Sequence, residues 1–210
     1  INTPEVDITD DELNEGDPDW SDMLVEIKNY INHSDKKLNI APGGKLEVTN
    51  DIDTQQKNKI TLQGAADKPM GTLLITKNGL DDSSMPLSTV EFYSGASISS
   101  GASPGNIYNW QYFGIPVQSL TASPTFGGAF VRKYNEALQT TEPGRQWVPL
   151  NNNSLMDPFA GYEIVQNKPK LYVIEGQLVR RDFSKVLAKT AGSYYQGQHI
   201  FLTLIQRQWR

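Results

Sequence analysis

Apolar residues alternate with polar ones in runs of only three to five residues, and Gly, Pro, Asn or Asp closes nearly every run. A period of two is the spacing of a strand with one face turned inward; it does not form the apolar stripe of a helix. Between residues 37 and 99 the runs are Leu38-Asn-Ile40, Leu46-Glu-Val48, Ile60-Thr-Leu62, Leu73 to Ile75 and Val90-Glu-Phe92. Pro42-Gly43-Gly44, Asn50-Asp51, Gly64, Asn78-Gly79 and Gly95 break them. Strands this short are too short for a roomy barrel. Their irregular spacing of about 8 to 15 residues favours a solenoid, in which each coil hydrogen-bonds to the next around an aliphatic ladder. A sandwich of short strands is the competing arrangement.

The character changes at Trp110-Gln-Tyr-Phe-Gly-Ile-Pro-Val117, a seam between two all-β parts. Beyond it the expected strands are Tyr108–Phe113, Gly128–Tyr134, Arg145–Val148, Tyr162–Val165, Leu171–Glu175, Gln177–Phe183 and Gln198–Ile205. Pro124, Pro143-Gly144, Asn151-Asn-Asn153 and Gly161 punctuate them, the pattern of an antiparallel sandwich or jelly roll. The fold expected is therefore all-β. A short-stranded, solenoid-like part over residues 20–99 precedes a sandwich-like part over residues 100–210, packed through the Trp110 region. The small-residue stretch 96–107 reads as a connection between them.

Residues 1–19 read as an acidic leader or linker, polar and interrupted by Pro4 and Pro18. Of the 24 acids, nine lie in residues 1–22, which hold no Lys or Arg; the remainder of the chain carries 15 acids against 19 bases. Asp10, Glu12 and Asn14 have the spacing of an EF-hand start, but Glu15 stands where the turn needs Gly and Ser21 where the bidentate Glu belongs. Trp20, Leu24, Ile27 and Ile31 fall at helical spacing, while Val25 and Ile27 also suit a strand. A short helix or a first strand is expected there, covering the open end of the stack.

Several chemistries are disfavoured by what the chain contains. It has no cysteine, so disulfides, thiol catalysis and thiolate metal sites are excluded. No apolar run approaches the length of a membrane-spanning helix, and the mildly basic body carries no Lys/Arg stripe of the kind nucleic-acid binding requires. Arg132-Lys133 and Arg180-Arg181 are neighbours on strands and point to opposite sides. Gly43-Gly44-Lys45 lacks the glycine spacing and following hydroxyl of a phosphate loop. Gly101-Ala-Ser103-Pro-Gly105 matches the serine-hydrolase pattern, but Pro104 has no N–H for the oxyanion hole. His33 and His199 are too far apart in sequence to suggest a metal site. Asp157, Glu163, Glu175 and Asp182 show no spacing that pairs them as glycosidase carboxylates. No catalytic, cofactor or metal residues are expected.

Aromatic residues are the better lead for binding. Trp110, Tyr112, Trp147, Tyr162, Tyr172, Tyr194 and Tyr195 offer rings for a stacking platform. Trp110, Trp147 and Tyr162 also suit the core of the second part. Tyr194 and Tyr195, in a Gly-Ser-Tyr-Tyr-Gln-Gly loop, are the candidate exposed pair and the candidate ligand-binding residues.

The order of several motifs resembles β-rich modules of large secreted or cell-surface proteins of Bacteroidetes bacteria. These are Ile40-Ala-Pro-Gly-Gly-Lys-Leu46, Ser88-Thr-Val-Glu-Phe92, Trp110 to Val117, Gly128-Ala-Phe-Val-Arg-Lys-Tyr134, Trp147, Pro158-Phe-Ala-Gly-Tyr162 and Glu175-Gly-Gln-Leu178, spread over residues 37–205. The resemblance implies export, a secreted or cell-surface place, and a non-catalytic structural or adhesive module. Its expected partners are other domains of a parent chain and a surface protein or glycan, with no cofactor, nucleic acid or membrane span. The start at Ile1 and the end at Arg210 on a strand-like run suggest a piece of a longer chain. Carbohydrate binding through exposed aromatics is the alternative function, and a glycoside-active enzyme the third.

Overall fold

The computed structural model describes residues 6–8, 24–76, 85–101, 105–135, 137–138 and 145–179. Among them every element is a strand, so the protein is all-β.

The first part is built by a chain that alternates between two sheets. Strands β1 (Val6–Ile8), β3 (Leu38–Ile40), β5 (Ile60–Leu62) and β7 (Leu87–Ser94) pair in parallel, each with the next but one in sequence. Strands β2 (Leu24–Ile31), β4 (Lys45–Asp53) and β6 (Thr72–Ile75) do the same in a second sheet. Parallel pairing puts equivalent side chains above one another. The register stacks Ile40, Leu62 and Val90 in one column, all buried. Burying each such side chain stabilises by roughly 1.5–3 kcal/mol. The backbone at Gly71 comes so close to β3 that a Cβ there would collide with the carbonyl oxygen of Ile40.

Strand β2 settles residues 24–31 of the ambiguous stretch 20–31 as extended chain. Val25 lies beside Leu46 and Ile27 beside Val48, and the pairing shifts register between Ile27 and Asn29. Parallel hydrogen bonding to β4 supplies what helical spacing alone would not. Residues 6–8, within the expected acidic leader, form β1.

The second part is antiparallel. Strands β10 (Gln111–Phe113), β15 (Tyr162–Val165), β12 (Phe130–Tyr134) and β13 (Trp147–Pro149) form a four-stranded sheet in that order. Strands β11 (Leu120–Thr121) and β14 (Leu155–Met156) make a small pair beside it. The expected connection at 96–107 is instead a hairpin of β8 (Ser97–Ser100) and β9 (Asn106–Asn109), closed by the Gly101 N–H donating to the Gly105 carbonyl at 3.1 Å. Small polar residues obscured the alternation that a strand normally shows.

The two parts share a sheet and a core. Strand β16 (Lys170–Gln177), from the second half, pairs antiparallel with β7 over eight residues and places Ile174 beside Val90. The separate strands expected at Leu171–Glu175 and from Gln177 onward begin as this one strand. Gly176 lets β16 pass Val117, whose Cβ would lie 2.9 Å from an added Cβ. The seam itself is aromatic. Phe113 packs against Phe92 (5.2 Å between centroids), Phe126 (5.1 Å) and Tyr162 (5.7 Å), and Phe126 reaches Tyr172 (5.2 Å). In the Trp110–Val117 stretch Phe113, Ile115 and Val117 are buried, while Trp110 stays half-exposed outside.

Candidate functional site

The antiparallel sheet has one face on the core and one outward. In β15, Tyr162 and Ile164 point inward with Phe113 and Val131, and Glu163 between them points outward. Alternation along a strand dictates this division. On the outward face Glu163 stands directly opposite Tyr112 of β10 on one side and Arg132 of β12 on the other. Arg132 Nη2 makes an ion pair with Glu163 Oε1.

Rings surround that pair. The Arg132 guanidinium lies 3.9 Å from the centre of the Trp110 ring, a close cation–π contact. Trp110 also meets Tyr108 (6.2 Å) and Phe130 (5.8 Å). Across the sheet Trp147 meets Tyr112 (5.6 Å) and Tyr134 (5.3 Å). The Glu163 side chain is only 3% exposed although its strand turns it outward, and the Arg132 side chain is 25% exposed. Burial pushes the Glu163 carboxyl above its ordinary range, and Arg132 partly offsets this. The Arg132 Nε–H is buried without an acceptor. The face therefore shows solvent its cation and hides its anion. Around them Tyr112 (54% exposed), Tyr108 (49%) and Phe130 (44%) present their rings.

Beneath the sheet a second polar arrangement is structural. The Tyr162 hydroxyl accepts from the Asp157 N–H at 2.7 Å and donates to the Asp157 carbonyl at 3.2 Å. Burial raises its pKa to about 12, so it stays a neutral hydroxyl. The Asp157 carboxylate pairs with Lys133 at 2.7 Å. Gln166 similarly ties down the β7–β8 corner through the Ser94 and Ala96 carbonyls, at 3.2 and 2.8 Å.

The residues weighed from sequence disperse. Tyr194 and Tyr195, the candidate ligand-binding pair, lie outside the described residues, as do His199, Asp182, Ser103 and Asp10. His33 pairs with Asp53 at 2.7 Å on the surface of the parallel part. Of the rings expected in the core, Tyr162 is buried there, whereas Trp110 and Trp147 lie half-exposed on the outward face. Tyr172 is also buried, and its hydroxyl has no hydrogen-bond partner among the described residues. Glu163, one of the four carboxylates with no pairing in sequence, is held by Arg132. Among the described residues no group of three or more His, Asp or Glu side chains is placed to hold a metal ion, and no helix is long and apolar enough to cross a membrane. Sequence reasoning separated Trp110, Arg132 and Glu163, which belong to three segments that only strand pairing unites.

No family model matches the chain, and no solved structure matches it. It is similar to the minor fimbrium subunit Mfa5 of Porphyromonas gingivalis, with 29% identity over 205 residues. That alignment takes in 89% of this chain and 16% of the relative, so the chain spans about a sixth of the length of the protein it matches.

Proposed function

We propose that this chain is a non-catalytic structural or adhesive β module of a bacterial surface assembly of the fimbrial kind. The observation that carries the reading is the alignment of nearly nine-tenths of the chain with a subunit of a minor fimbrium. The outward face supports it: an aromatic surface around an arginine suits contact with other molecules, and Glu163, opposite that arginine, is buried and ion-paired with it. The parallel part is a solenoid-like stack acting as a rigid spacer, and the antiparallel part is the sandwich-like unit that presents the face. The protein is secreted or held at the cell surface, beside other domains of its parent chain and other surface proteins.

Protease shaving of intact source cells, with analysis of the fimbrial fraction released by shearing, tests this reading. The chain is expected among the peptides shaved from outside and in the sheared fraction. Confinement to the cell interior would overturn it. Carbohydrate binding is the second reading, favoured by the three well-exposed rings. Saturable binding on a glycan array, lost on Tyr194→Ala/Tyr195→Ala or on Tyr112→Ser, would establish it and locate the site.

A further inference from the structure

We infer that the outward face of the β10-β15-β12-β13 sheet, centred on Trp110 and Arg132, docks a protein surface that places a carboxylate among apolar side chains. The inference rests on the structural or adhesive reading and names the partner chemistry of that face.

Three observations lead to it. First, the residue types are those that carry binding energy between proteins: Trp, Tyr, Phe and Arg clustered at the centre of one surface. Second, the arrangement suits a protein better than a sugar. A sugar needs a free ring face to stack on, but a face of Trp110 is taken by the Arg132 guanidinium at 3.9 Å. Tyr108 and Phe130 pack around the same ring, and Trp147 is similarly engaged by Tyr112 and Tyr134. Mutual packing fixes the rings before a partner arrives, which lowers the ordering cost of association.

Third, the charges select the partner. Glu163 is 2% exposed and spends its carboxylate on Arg132, so the partner meets the cation and not the anion. Lys133 is already paired with Asp157. Docking withdraws the remaining exposed part of the Arg132 side chain from water. That is costly unless the partner brings an acceptor, and a carboxylate is the strongest one for an arginine. Apolar side chains around the carboxylate would cover Tyr108, Phe130 and Tyr112.

The test selects binders from a random peptide library displayed on phage against the folded chain. Synthetic consensus peptides are then titrated against the wild type and a Tyr108→Ser/Phe130→Ser variant. Both of those rings are about half exposed, so the variant should keep its fold, as circular dichroism and a melting curve would show. The expected result is a consensus with Asp or Glu beside apolar residues. Its affinity should fall about tenfold on the double variant and also when the acid becomes its amide. It should weaken at roughly 0.5 M salt. A consensus without acids, binding indifferent to the variant, or no selected binder from a folded sample would overturn the inference. Glycan-array binding abolished by the same variant would also overturn it while leaving an adhesive module standing. Exclusion of the chain from the cell surface would remove the functional reading independently.

Discussion

The parallel stack and the antiparallel sheet use the same strand geometry to opposite ends. In the stack, equivalent positions recur above one another, and the inward residues are aliphatic: Ile40, Leu62 and Val90 in one sheet, Leu46 and Leu73 in the other. Its exposed residues include polar side chains that bond to the neighbouring strand, such as Asn50 Nδ2 donating to Asn29 Oδ1 at 2.7 Å. In the antiparallel sheet both faces carry large side chains. One packs Tyr162 and Phe113 into the shared core, and the other holds rings around an ion pair. A repeating ladder fills itself with like residues and leaves little that is distinctive outside. A sheet whose neighbours come from distant segments can gather unlike residues on one surface, as recognition requires.

Removing an inward aliphatic from the stack should have the largest effect. Ile60→Ala is expected to destabilise by about 2–5 kcal/mol in urea titration, because the paired strands on either side hold the backbone in place and the cavity cannot collapse. The antiparallel face should respond less and in a pH-dependent way. Arg132→Ala strands the Glu163 carboxylate, and the quarter exposure of Arg132 limits the cost to roughly 3 kcal/mol near neutrality. The folded-state pKa of Glu163 lies above its ordinary value of 4.5, and losing Arg132 raises it further. The folded state then binds the proton more tightly than the unfolded chain, so the variant loses stability as pH rises beyond about 4.5 and recovers toward wild type below it. Melting curves from acid to neutral pH check this; a pH-independent gap would mean that the ring packing, not the charge, holds the face.

Tyr162→Phe sharpens the comparison within one strand. It removes the hydroxyl that joins the Asp157 N–H and carbonyl, at an expected cost of about 1–2 kcal/mol by urea titration. The outward face should bind as before, since Tyr162 points the other way. The smallest effect is expected at His33→Asn, which breaks the exposed pair with Asp53 on the stack. Asp53 is held below its ordinary range chiefly by the Gln55 N–H and then by His33. The stability it adds is present at neutral pH and fades only as pH drops below about 3.8. Melting at neutral pH should barely move.

The class of the fold and most of the strands were legible in the sequence. Leu38–Ile40, Ile60–Leu62 and Tyr162–Val165 appear where alternation placed them, because the period of two is a local property that survives whatever the strand pairs with. It did not reveal the β8–β9 hairpin, whose Ser and Asn residues carry no alternation, nor that β16 crosses back to pair with β7. In the stretch from Trp110 to Val117 it left the Trp110 ring open between the core and a binding surface. Which residue of such a stretch turns inward depends on the register with β15, and register is set by a strand about fifty residues away. The same holds for the site. Trp110, Arg132 and Glu163 are ordinary in sequence, and only pairing between distant strands brings a guanidinium onto an indole and a carboxylate to that guanidinium. Local pattern decides that a strand forms; long-range hydrogen bonding decides which face it shows and what stands beside it.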